Sequence, residues 1–500
     1  MTHAEAYAEL VARSGELAVL QSCASVLGWD QQTYMPRGGA AFRGDQLALI
    51  AKLSHAEATH PRFGELLGEL GGTFAEGTVE AANVRELKHG YDRATKLPSR
   101  LVEELARVTA AAHEAWVDAR KGDSFATFRP HLETILALKR EEAAAVRTAE
   151  HAHLYDALLD EYEPGASTAD LTVLFAGLTA AVVPLVKAIG ESSTRPDDTI
   201  LTRDYPVERQ KWFAESAAVA IGFDFNNGRL DIAAHPFCST FGPGDCRLTT
   251  RYNPNFFNEA FFGVLHEAGH GLYEQNLPAE HFGTPCGGYC SLGVHESQSR
   301  FWENQVGRSR PFWQGFLPRM KQAFPGTLDD VSLDAFELAV NAVKPSLIRV
   351  EADEATYNLH IAVRFELELA LITGDLQAAE LPAAWNEKYR DYLGLTPPTD
   401  ADGCLQDVHW SFGGIGYFPT YTLGNLLAAQ LQRAMPDSEA TIRSGDFSGL
   451  KSWLTANIHT HGRRYRAQEL CTRATGGALS PVPFVEYLSA KFDRLYGLKI

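Results

Sequence analysis

Two histidines and a glutamate within five residues are the most chemically specific feature of the sequence. In His266-Glu267-Ala268-Gly269-His270 the two imidazoles stand four residues apart. On a helix they would lie on one face, one above the other, so both could reach one ion. Glu267 would be rotated by about 100° around the helix, close enough to contact a metal-bound water without being a ligand. The spacing therefore predicts a hydrolytic zinc site with Glu267 as general base.

A tetrahedral catalytic zinc needs a third protein ligand and leaves its fourth position to water. Glu274 is on the same helix, but it is eight residues from His266, about 12 Å along the axis and too far to converge. A following helical segment offers His295, Glu296 and Glu303. We expect Glu296, because a short loop that folds this segment back would bring its first turn to the histidines. His295 is the main alternative, and a surface ion pair is the alternative role for Glu303.

The elements that must position these groups can also be predicted. Asn253 is a candidate N-cap and Pro254 suits the first position of the histidine-bearing helix. An apolar stripe at helical spacing predicts the buried face of that helix. Its members are Phe257, Phe261, Val264, Leu265, Ala268 and Leu272. Before this helix, residues 223–252 contain an Asn-Asn-Gly turn and short alternating stretches, which predict a small β-ribbon.

Helical spacing of apolar residues dominates the rest of the chain. One predicted helix spans residues 101–119, and another follows Pro206 and ends at Gly222, an arrangement that helices favour. Neither a repeat of fixed period nor a long low-complexity linker is present in the sequence. The prediction is a mainly α protein with two lobes that form one catalytic unit over residues 1–500.

Composition excludes several classes of function. The 500 residues are 45% hydrophobic and 22% charged, as expected of a globular protein, and the net charge of −18 disfavours binding to nucleic acid or an anionic membrane. The most apolar stretch, 171–186, is shorter than the roughly 20 residues needed to cross a bilayer and is predicted to be a buried helix. The N-terminus does not resemble a secretory signal, and seven cysteines suit reduced thiols. We therefore predict a cytoplasmic protein.

Several separated motifs resemble the carboxypeptidase Taq (M32) family of metallocarboxypeptidases. They are residues 29–36 (WDQQTYMP), 235–240 (HPFCST), 249–252 (TTRY), 266–270 (HEAGH), 295–299 (HESQS), 348–353 (IRVEAD) and 403–410 (GCLQDVHW). The resemblance implies a two-lobed helical metallopeptidase with a deep central groove, a homodimer, and release of single residues from peptide C-termini. The N-terminal lobe would cover about 1–200, and the metal-site and groove-lining region about 225–425. The resemblance also implies that Glu296 is the third ligand, and that the ion is zinc or cobalt, both of which suit imidazole and carboxylate ligands.

Negative charge that develops on the substrate carbonyl would need a donor besides the metal. His409 is the candidate, with Tyr417 or Tyr421 as a second donor, because related helical zinc peptidases use a histidine followed by a tyrosine about ten residues later. Counting does not distinguish the two tyrosines. The alternative for all three is a structural role, as a core histidine and packed aromatic rings.

An enzyme that cuts at the C-terminus must recognise a free carboxylate, which arginine can hold through two parallel hydrogen bonds. Arg349 is the first candidate and Arg251 the second, and the family resemblance favours Arg349. We predict that Arg349 begins a long helix in which Asp353 orients it. An ordinary intrahelical ion pair is the alternative role for these two residues.

The predicted function is a metal-dependent carboxypeptidase of broad specificity that acts on peptides with a free C-terminus. One alternative is an oligoendopeptidase or dipeptidyl carboxypeptidase with the same metal site. The other is a non-catalytic, zinc-stabilised binding protein. Structural zinc sites usually close all four positions with protein ligands, so an intact Glu267 beside a three-ligand site argues against that role.

Overall fold

Helices form along most of the chain, as the spacing of its apolar residues predicts. The computed structural model describes residues 1–498. The helices before the sheet are α1 (His3–Thr33), α2 (Ala40–Ala58), α3 (Pro61–Leu70), α4 (Val79–Lys96), α5 (Ser99–Gly122), α6 (Phe125–Val146), α7 (Leu154–Leu159), α8 (Thr168–Glu191) and α9 (Val207–Ile221). Those after it are α10 (Phe257–Gln275), α11 (Leu292–Arg300), α12 (Arg310–Ala323), α13 (Leu333–Val340), α14 (Tyr357–Thr373), α15 (Leu381–Leu393), α16 (Pro419–Ala434), α17 (Ser438–Ser444), α18 (Ser448–Asn457), α19 (Ala467–Thr475) and α20 (Val482–Tyr496).

The predicted β-ribbon is a three-stranded sheet. Its strands are β1 (Gly228–Ile232), β2 (Cys238–Gly242) and β3 (Asp245–Thr250), in the order β1-β3-β2. β1 runs parallel to β3, with Leu230 opposite Leu248, and β2 runs antiparallel to β3, with Cys238 opposite Leu248. The central strand β3 is buried at Leu248 and packs against α10. A mainly α fold with a small β element is therefore confirmed.

One compact unit contains the residues of the histidine-bearing helix. It consists of Met1–Ala94, Pro196–Val340 and Leu427–Leu479. Within it, α10 packs between α9, α11 and β3, and the predicted apolar stripe of α10 is fully buried. Phe213 of α9 stacks on Phe261 of α10 with ring centroids 5.3 Å apart, and Trp313 of α12 lies 5.3 Å from Phe261. This aromatic core fixes the position of α10 within its unit.

The second compact unit consists of Thr95–Arg195, Asn341–Leu426 and the described residues from Ser480 onward. Its central helix, α14, is buried along most of its length. Phe365 of α14 stacks on Phe175 of α8 with centroids 4.7 Å apart. Because each unit is built from separate chain segments, neither is a continuous stretch of sequence. The single catalytic unit over 1–500, with its N-terminal lobe at 1–200, stays a prediction.

Among the described residues, α8 is the one helix whose length and composition would allow it to span a membrane. Core helices of soluble proteins meet the same criteria, so this finding is weak evidence of a span. The helix predicted over 171–186 lies within α8, where Leu171, Phe175, Leu178 and Val182 are buried and Val173 is exposed.

The predicted helix ends differ in accuracy. α9 ends before Gly222, which has a positive φ of 104° and closes the helix as predicted. The predicted start of the next helix at Asn253 is wrong, because α10 begins at Phe257. Asn253 instead forms a turn in which its side-chain oxygen accepts the Asn255 N–H and its carbonyl accepts the Phe256 N–H.

Candidate metal centre

The four-residue spacing on α10 places His266 and His270 side by side, with ring centroids 4.9 Å apart. The Nε2 atoms of both rings face Glu296 of α11. Its Oε2 atom lies 3.8 Å from Nε2 of His266 and 3.6 Å from Nε2 of His270. One potential ligand atom from each of the three residues lies within 4.8 Å of the others. Within residues 1–498 this is the one such group of histidine, cysteine and carboxylate side chains that could hold a metal ion.

Glu296 can approach the histidines because α10 and α11 pack unusually closely. A Cβ atom built on Gly269 would lie 2.6 Å from the carbonyl oxygen of Gln298 and 2.6 Å from the Cα atom of Ser299. Any side chain at position 269 would therefore push the two helices apart. At the start of α11 the Ser291 side chain accepts the Val294 N–H and fixes the beginning of the helix that carries Glu296.

Glu303 lies behind His266. It is buried, and its Oε2 atom lies 3.0 Å from Nδ1 of His266. Arg300 donates to the same oxygen at 3.0 Å, and Arg308 donates to Oε1 at 3.2 Å. Burial by itself would raise the pKa of Glu303, but Arg300, His266 and Arg308 together hold it below its usual value. Glu303 is therefore a buried carboxylate that orients a histidine, and its ion pairs with Arg300 and Arg308 do not lie at the surface.

His295 and Glu274 lie behind the second histidine. Nδ1 of His295 is 2.6 Å from Nδ1 of His270, and Nε2 of His295 is 2.8 Å from Oε1 of Glu274. His295, the main alternative to Glu296 as third ligand, thus contacts the nitrogen of His270 that does not face Glu296. Glu274, judged too distant to converge with both histidines, is also outside the group of three.

The donor set fits a divalent cation such as zinc or cobalt, which two imidazole nitrogens and one carboxylate oxygen commonly bind. Arg300 donates to Oε1 of Glu296 at 2.7 Å, which leaves Oε2 directed at the histidines. The surrounding carboxylates are Glu267, Glu274, Glu296 and Glu303; the guanidinium group of Arg300 pairs with Glu296 and Glu303, and that of Arg308 pairs with Glu303. Fully ionised, these carboxylates exceed the guanidinium groups by two charges, which one divalent cation would balance.

Glu267 is a buried carboxyl group beside these ligands. Burial disfavours its charged form and raises its pKa to about 7, while His266 opposes this shift and Glu296 adds to it. A group with such a pKa can accept and release a proton near neutral pH, as a general base and acid must.

The secondary structure and the contacts of Arg349 differ from those predicted. It lies in the short 3-10 turn Arg349–Glu351, and the next helix, α14, begins at Tyr357. Its Nε and Nη2 atoms lie 2.9 Å from Oδ1 of Asp407. Asp353 instead accepts backbone N–H groups of Lys344, Ala355 and Thr356. The predicted long helix and the orienting role of Asp353 are therefore wrong, and Asp407 is the residue that orients Arg349.

Asp407 is shared between two arginines. Nε and Nη2 of Arg364 both lie 2.6 Å from its Oδ2 atom, Arg349 and Arg364 are buried, and the Asp407 side chain is 9% exposed. The two guanidinium groups hold the pKa of Asp407 below its usual value, although burial acts in the opposite direction. This arginine cluster of Arg349, Arg364 and Asp407 carries one net positive charge and suits an anionic partner.

His409 lies close to both candidate tyrosines. Its ring centroid is 5.3 Å from that of Tyr417 and 6.4 Å from that of Tyr421. The Tyr421 hydroxyl is 3.5 Å from Nε2 of His409, and the Tyr421 ring also packs under Arg349, with 5.2 Å between the guanidinium carbon and the centroid. Burial lowers the pKa of His409 to about 4, so the imidazole is neutral at pH 7. Its buried Nδ1 atom has no hydrogen-bond partner within the described part of the chain, unlike that of a satisfied core histidine.

Arg251, the second candidate for carboxylate binding, is a half-exposed residue in an ion pair with Glu259. Its Nη1 atom also donates to the carbonyl of Ala234. An exposed ion pair of this kind contributes little and leaves the guanidinium accessible to solvent.

Sequence reasoning missed the roles of Glu303, His295 and Asp407. Glu303 follows Glu296 by seven residues, which is two helical turns, and this spacing could have placed both on one face. Asp407 is 58 residues beyond Arg349, and no local pattern in the sequence links them.

The fold and these residues define a class of protein: a mainly helical metallopeptidase in which one helix supplies two histidines and a glutamate and the next supplies a further carboxylate. A family model described as carboxypeptidase Taq (M32) metallopeptidase matches residues 9–492. The chain therefore belongs to the carboxypeptidase Taq (M32) family, and it is a carboxypeptidase, a hydrolase of peptides.

Comparison with individual proteins gives the same result. The chain is 49% identical to thermostable carboxypeptidase 1 of Thermus thermophilus, with 99% of this chain and 100% of the relative covered. It is 39% identical to carboxypeptidase 1 of Bacillus subtilis, with 94% and 95% covered. The crystal structure of M32 carboxypeptidase from Deinococcus radiodurans R1 matches with a TM-score of 0.95 at 40% identity, covering 99% and 100% of the two chains. The family resemblance is confirmed, and a non-catalytic binding protein is ruled out.

Proposed function

We propose that this metallocarboxypeptidase releases single amino acids from the free C-termini of peptides of varied sequence. His266, His270 and Glu296 would hold a zinc or cobalt ion, and Glu267 would be the general base. The observation that carries the proposal is the convergence of three ligand atoms within 4.8 Å of one another, beside a buried carboxyl group whose pKa is raised to about 7.

A divalent cation bound by these residues would lower the pKa of a coordinated water to about 7 and polarise the substrate carbonyl. Glu267 accepts a proton from the attacking water as the new carbon–oxygen bond forms. It then delivers the proton to the amine nitrogen as the last peptide bond breaks, so one residue acts as base and then as acid. Arg300 keeps Oε1 of Glu296 occupied throughout, which holds the other carboxylate oxygen toward the two histidines.

Arg349 would bind the terminal carboxylate of the substrate. Arg349 has five N–H hydrogens. The hydrogen on Nε and one of the two on Nη2 are donated to Asp407, and one of the two on Nη1 is donated to the Tyr357 hydroxyl. One hydrogen on each terminal nitrogen is left, the arrangement needed for two parallel hydrogen bonds to a carboxylate. Arg364 shares the charge of Asp407, so Arg349 is not fully neutralised. The exposed ion pair of Arg251 makes that residue the weaker candidate.

His409 and Tyr421 would donate hydrogen bonds to the oxyanion that forms during attack. A neutral imidazole has one N–H to donate, and the buried His409 is neutral at pH 7. Tyr421 is preferred to Tyr417 because its hydroxyl lies 3.5 Å from Nε2 of His409. Tyr417 instead packs its ring against Tyr162, with centroids 5.2 Å apart.

The test is a comparison of a mixed set of peptides with the same peptides amidated at the C-terminus, analysed by mass spectrometry. The proposal predicts ladders that shorten one residue at a time for the free peptides and no reaction for the amides. Internal cuts in both sets would instead indicate an oligoendopeptidase. Loss of two residues at a time would indicate a dipeptidyl carboxypeptidase.

We also propose that the protein is a homodimer. Helix α2 has no buried residue, although Phe42, Leu49 and Leu53 are 69%, 58% and 49% exposed and lie on one face of the helix. An apolar stripe of this kind suits a contact with a second copy of the chain. Light scattering should show that Leu49→Glu converts a dimer to a monomer, whereas Val173→Glu at an exposed position of α8 leaves the dimer intact. A wild-type monomer would contradict the proposal.

We also propose a cytoplasmic location, and the observation that supports it is the absence of disulfide bonds among the cysteines that the structure describes. All seven cysteines are free thiols, including Cys238 and Cys246, whose sulfur atoms lie 3.6 Å apart. Thiols are kept reduced in the cytoplasm, where disulfides are rare. Fractionation of the source cells should find the activity with cytoplasmic markers, and recovery with secreted proteins would contradict this assignment.

A further inference from the structure

His270 makes a contact on each side of its ring. On one side Nε2 faces Glu296 at 3.6 Å, and on the other Nδ1 lies 2.6 Å from Nδ1 of His295. Nε2 of His295 in turn lies 2.8 Å from Oε1 of Glu274, which is one helical turn beyond His270 on α10. These contacts form a chain of three groups that leads away from the proposed metal ligands.

The proton positions along this chain follow from ligand chemistry. A neutral histidine that binds a metal through Nε2 carries its hydrogen on Nδ1. That hydrogen must be donated to Nδ1 of His295, whose own hydrogen is then on Nε2 and is donated to Glu274. Each contact therefore joins one donor to one acceptor in a single consistent arrangement. With the opposite arrangement, His270 would present an N–H to the ion and could not bind it.

Packing fixes the His295 ring in this orientation. It stacks on His270 with centroids 4.4 Å apart, and the rings of Tyr273 and Tyr289 lie 5.5 Å and 4.9 Å from it. His295 and Glu274 also line a cavity of about 740 Å³ within the same compact unit. One side of the His295 ring is therefore accessible to small solutes.

We propose that His295 and Glu274 are positioning residues that hold His270 in the tautomer and orientation needed to bind the metal. This inference rests on the proposed function of His266, His270 and Glu296 as ligands. The two histidines would then be supported differently, His266 by a direct carboxylate contact with Glu303 and His270 by an imidazole that links it to Glu274. Loss of such supporting contacts typically weakens metal binding by about 10- to 100-fold.

The test measures metal affinity, by competition of the protein with a chelator for Co²⁺ and by the absorption spectrum of bound Co²⁺. His295→Ala should weaken binding by about 10- to 100-fold. His295→Asn should weaken it by less than about tenfold, because the asparagine oxygen can still accept the Nδ1–H of His270. Equal, wild-type affinity in both variants would overturn the proposal. Equally weak binding in both folded variants would also overturn it, because acceptance of that hydrogen would then not matter.

Imidazole added to His295→Ala supplies a second readout. It can enter the cavity and replace the missing ring, so affinity and spectrum should recover toward those of the wild type. The matched control is Glu303→Ala, which removes the support of His266 and should not recover with imidazole. Recovery in both variants or in neither would overturn the assigned contact. Should His295→Ala not fold, Glu274→Ala replaces it, and wild-type affinity in that variant would refute the chain of contacts.

Failure of the proposed metal site would give a different result. If Glu296→Ala binds Co²⁺ as tightly as the wild type, the ligand assignment itself is wrong. If Glu296→Ala loses binding while both His295 variants keep it, the ligands stand and the supporting role of His295 is refuted.

Discussion

Replacement of Asp407 by asparagine should weaken both the stability of the protein and its affinity for substrate. Asp407 Oδ1 accepts from Arg349 and Oδ2 accepts from Arg364, both arginines are buried, and the Asp407 side chain is 9% exposed. Asparagine has one oxygen acceptor, so one guanidinium would lose its partner and face an N–H group instead. Arg364 has other acceptors in Gln406 and the His360 carbonyl, which leaves Arg349 as the less constrained of the two.

The size of both effects can be worked from these contacts. Breaking a buried ion pair by removal of one partner costs about 3–5 kcal/mol. Since asparagine keeps one acceptor, we expect the free energy of unfolding to fall by about 3 kcal/mol. A hydrogen bond to a charged group contributes about 1.5–3 kcal/mol. Loss of one of the two hydrogen bonds that Arg349 would donate to the substrate carboxylate would lower kcat/KM about tenfold, mainly through KM.

The assay combines urea unfolding with steady-state kinetics on a peptide that has a free C-terminus. Two variants with the same change of side chain serve as controls. Asp330→Asn alters an exposed pair with Arg203 and should change stability by less than about 1 kcal/mol. Asp353→Asn removes an acceptor of backbone N–H groups and should destabilise the protein without changing KM. Wild-type KM in Asp407→Asn, or a raised KM in Asp353→Asn alone, would refute the reasoning.

Three further predictions concern the groups proposed to take part in the reaction. Glu267→Gln should reduce turnover by about 10²- to 10⁴-fold while the protein binds as much metal as the wild type, and unchanged turnover in the metal-loaded variant would contradict the role of general base. Tyr421→Phe should lower kcat more than Tyr417→Phe, and the reverse order in stopped-flow or steady-state assays would assign the donor to Tyr417. Burial lowers the pKa of His409 from an ordinary 6.5 to about 4 in the folded protein. As the pH falls from 6.5 to 4, the histidine therefore binds a proton in the unfolded chain but not in the folded one, and the free energy of unfolding decreases. The wild type should therefore lose about 3 kcal/mol more than His409→Gln between pH 6.5 and pH 4 in urea unfolding, and equal losses would show that His409 is not held neutral by the fold.

Much of the candidate metal site could be predicted because its geometry is local. A four-residue spacing on one helix brings His266 and His270 together whatever surrounds them. The choice of Glu296 needed one further step, a short loop that folds the next helix back. Spacing alone left His295 open, because the direction in which that ring points depends on how closely α11 approaches α10 at Gly269.

The rest depended on contacts between distant segments. Asp353 was expected to orient Arg349 because it stands four residues away, but the turn at 349–351 ends the helical geometry that this spacing assumes. Asp407 comes from a separate segment, and the sequence does not show that the two meet. For Glu303 the sequence leaves a metal ligand and a surface ion pair as alternatives, because charged residues are usually exposed. Its burial is possible only because Arg300 and Arg308 both pair with it.

The mainly helical fold was predictable from periodicity, whereas the start of α10 was not. Asn253 and Pro254 match the residue types that begin helices, yet the turn that they form ends at Phe256 before the helix starts. The aromatic contacts of Phe257 and Phe261 with Phe213 explain why the helix begins where its apolar stripe meets the core. Tertiary packing, rather than the helix-starting preference of Asn253 and Pro254, therefore determines where α10 begins.

Anomalous diffraction from crystals of active, metal-loaded enzyme tests the central claim most directly. The account predicts one divalent cation about 2.0–2.2 Å from Nε2 of His266, Nε2 of His270 and a carboxylate oxygen of Glu296, with His295 and Glu303 outside the ligand set. A cation bound by His295 in place of Glu296, or active enzyme with no cation at these three residues, would contradict it.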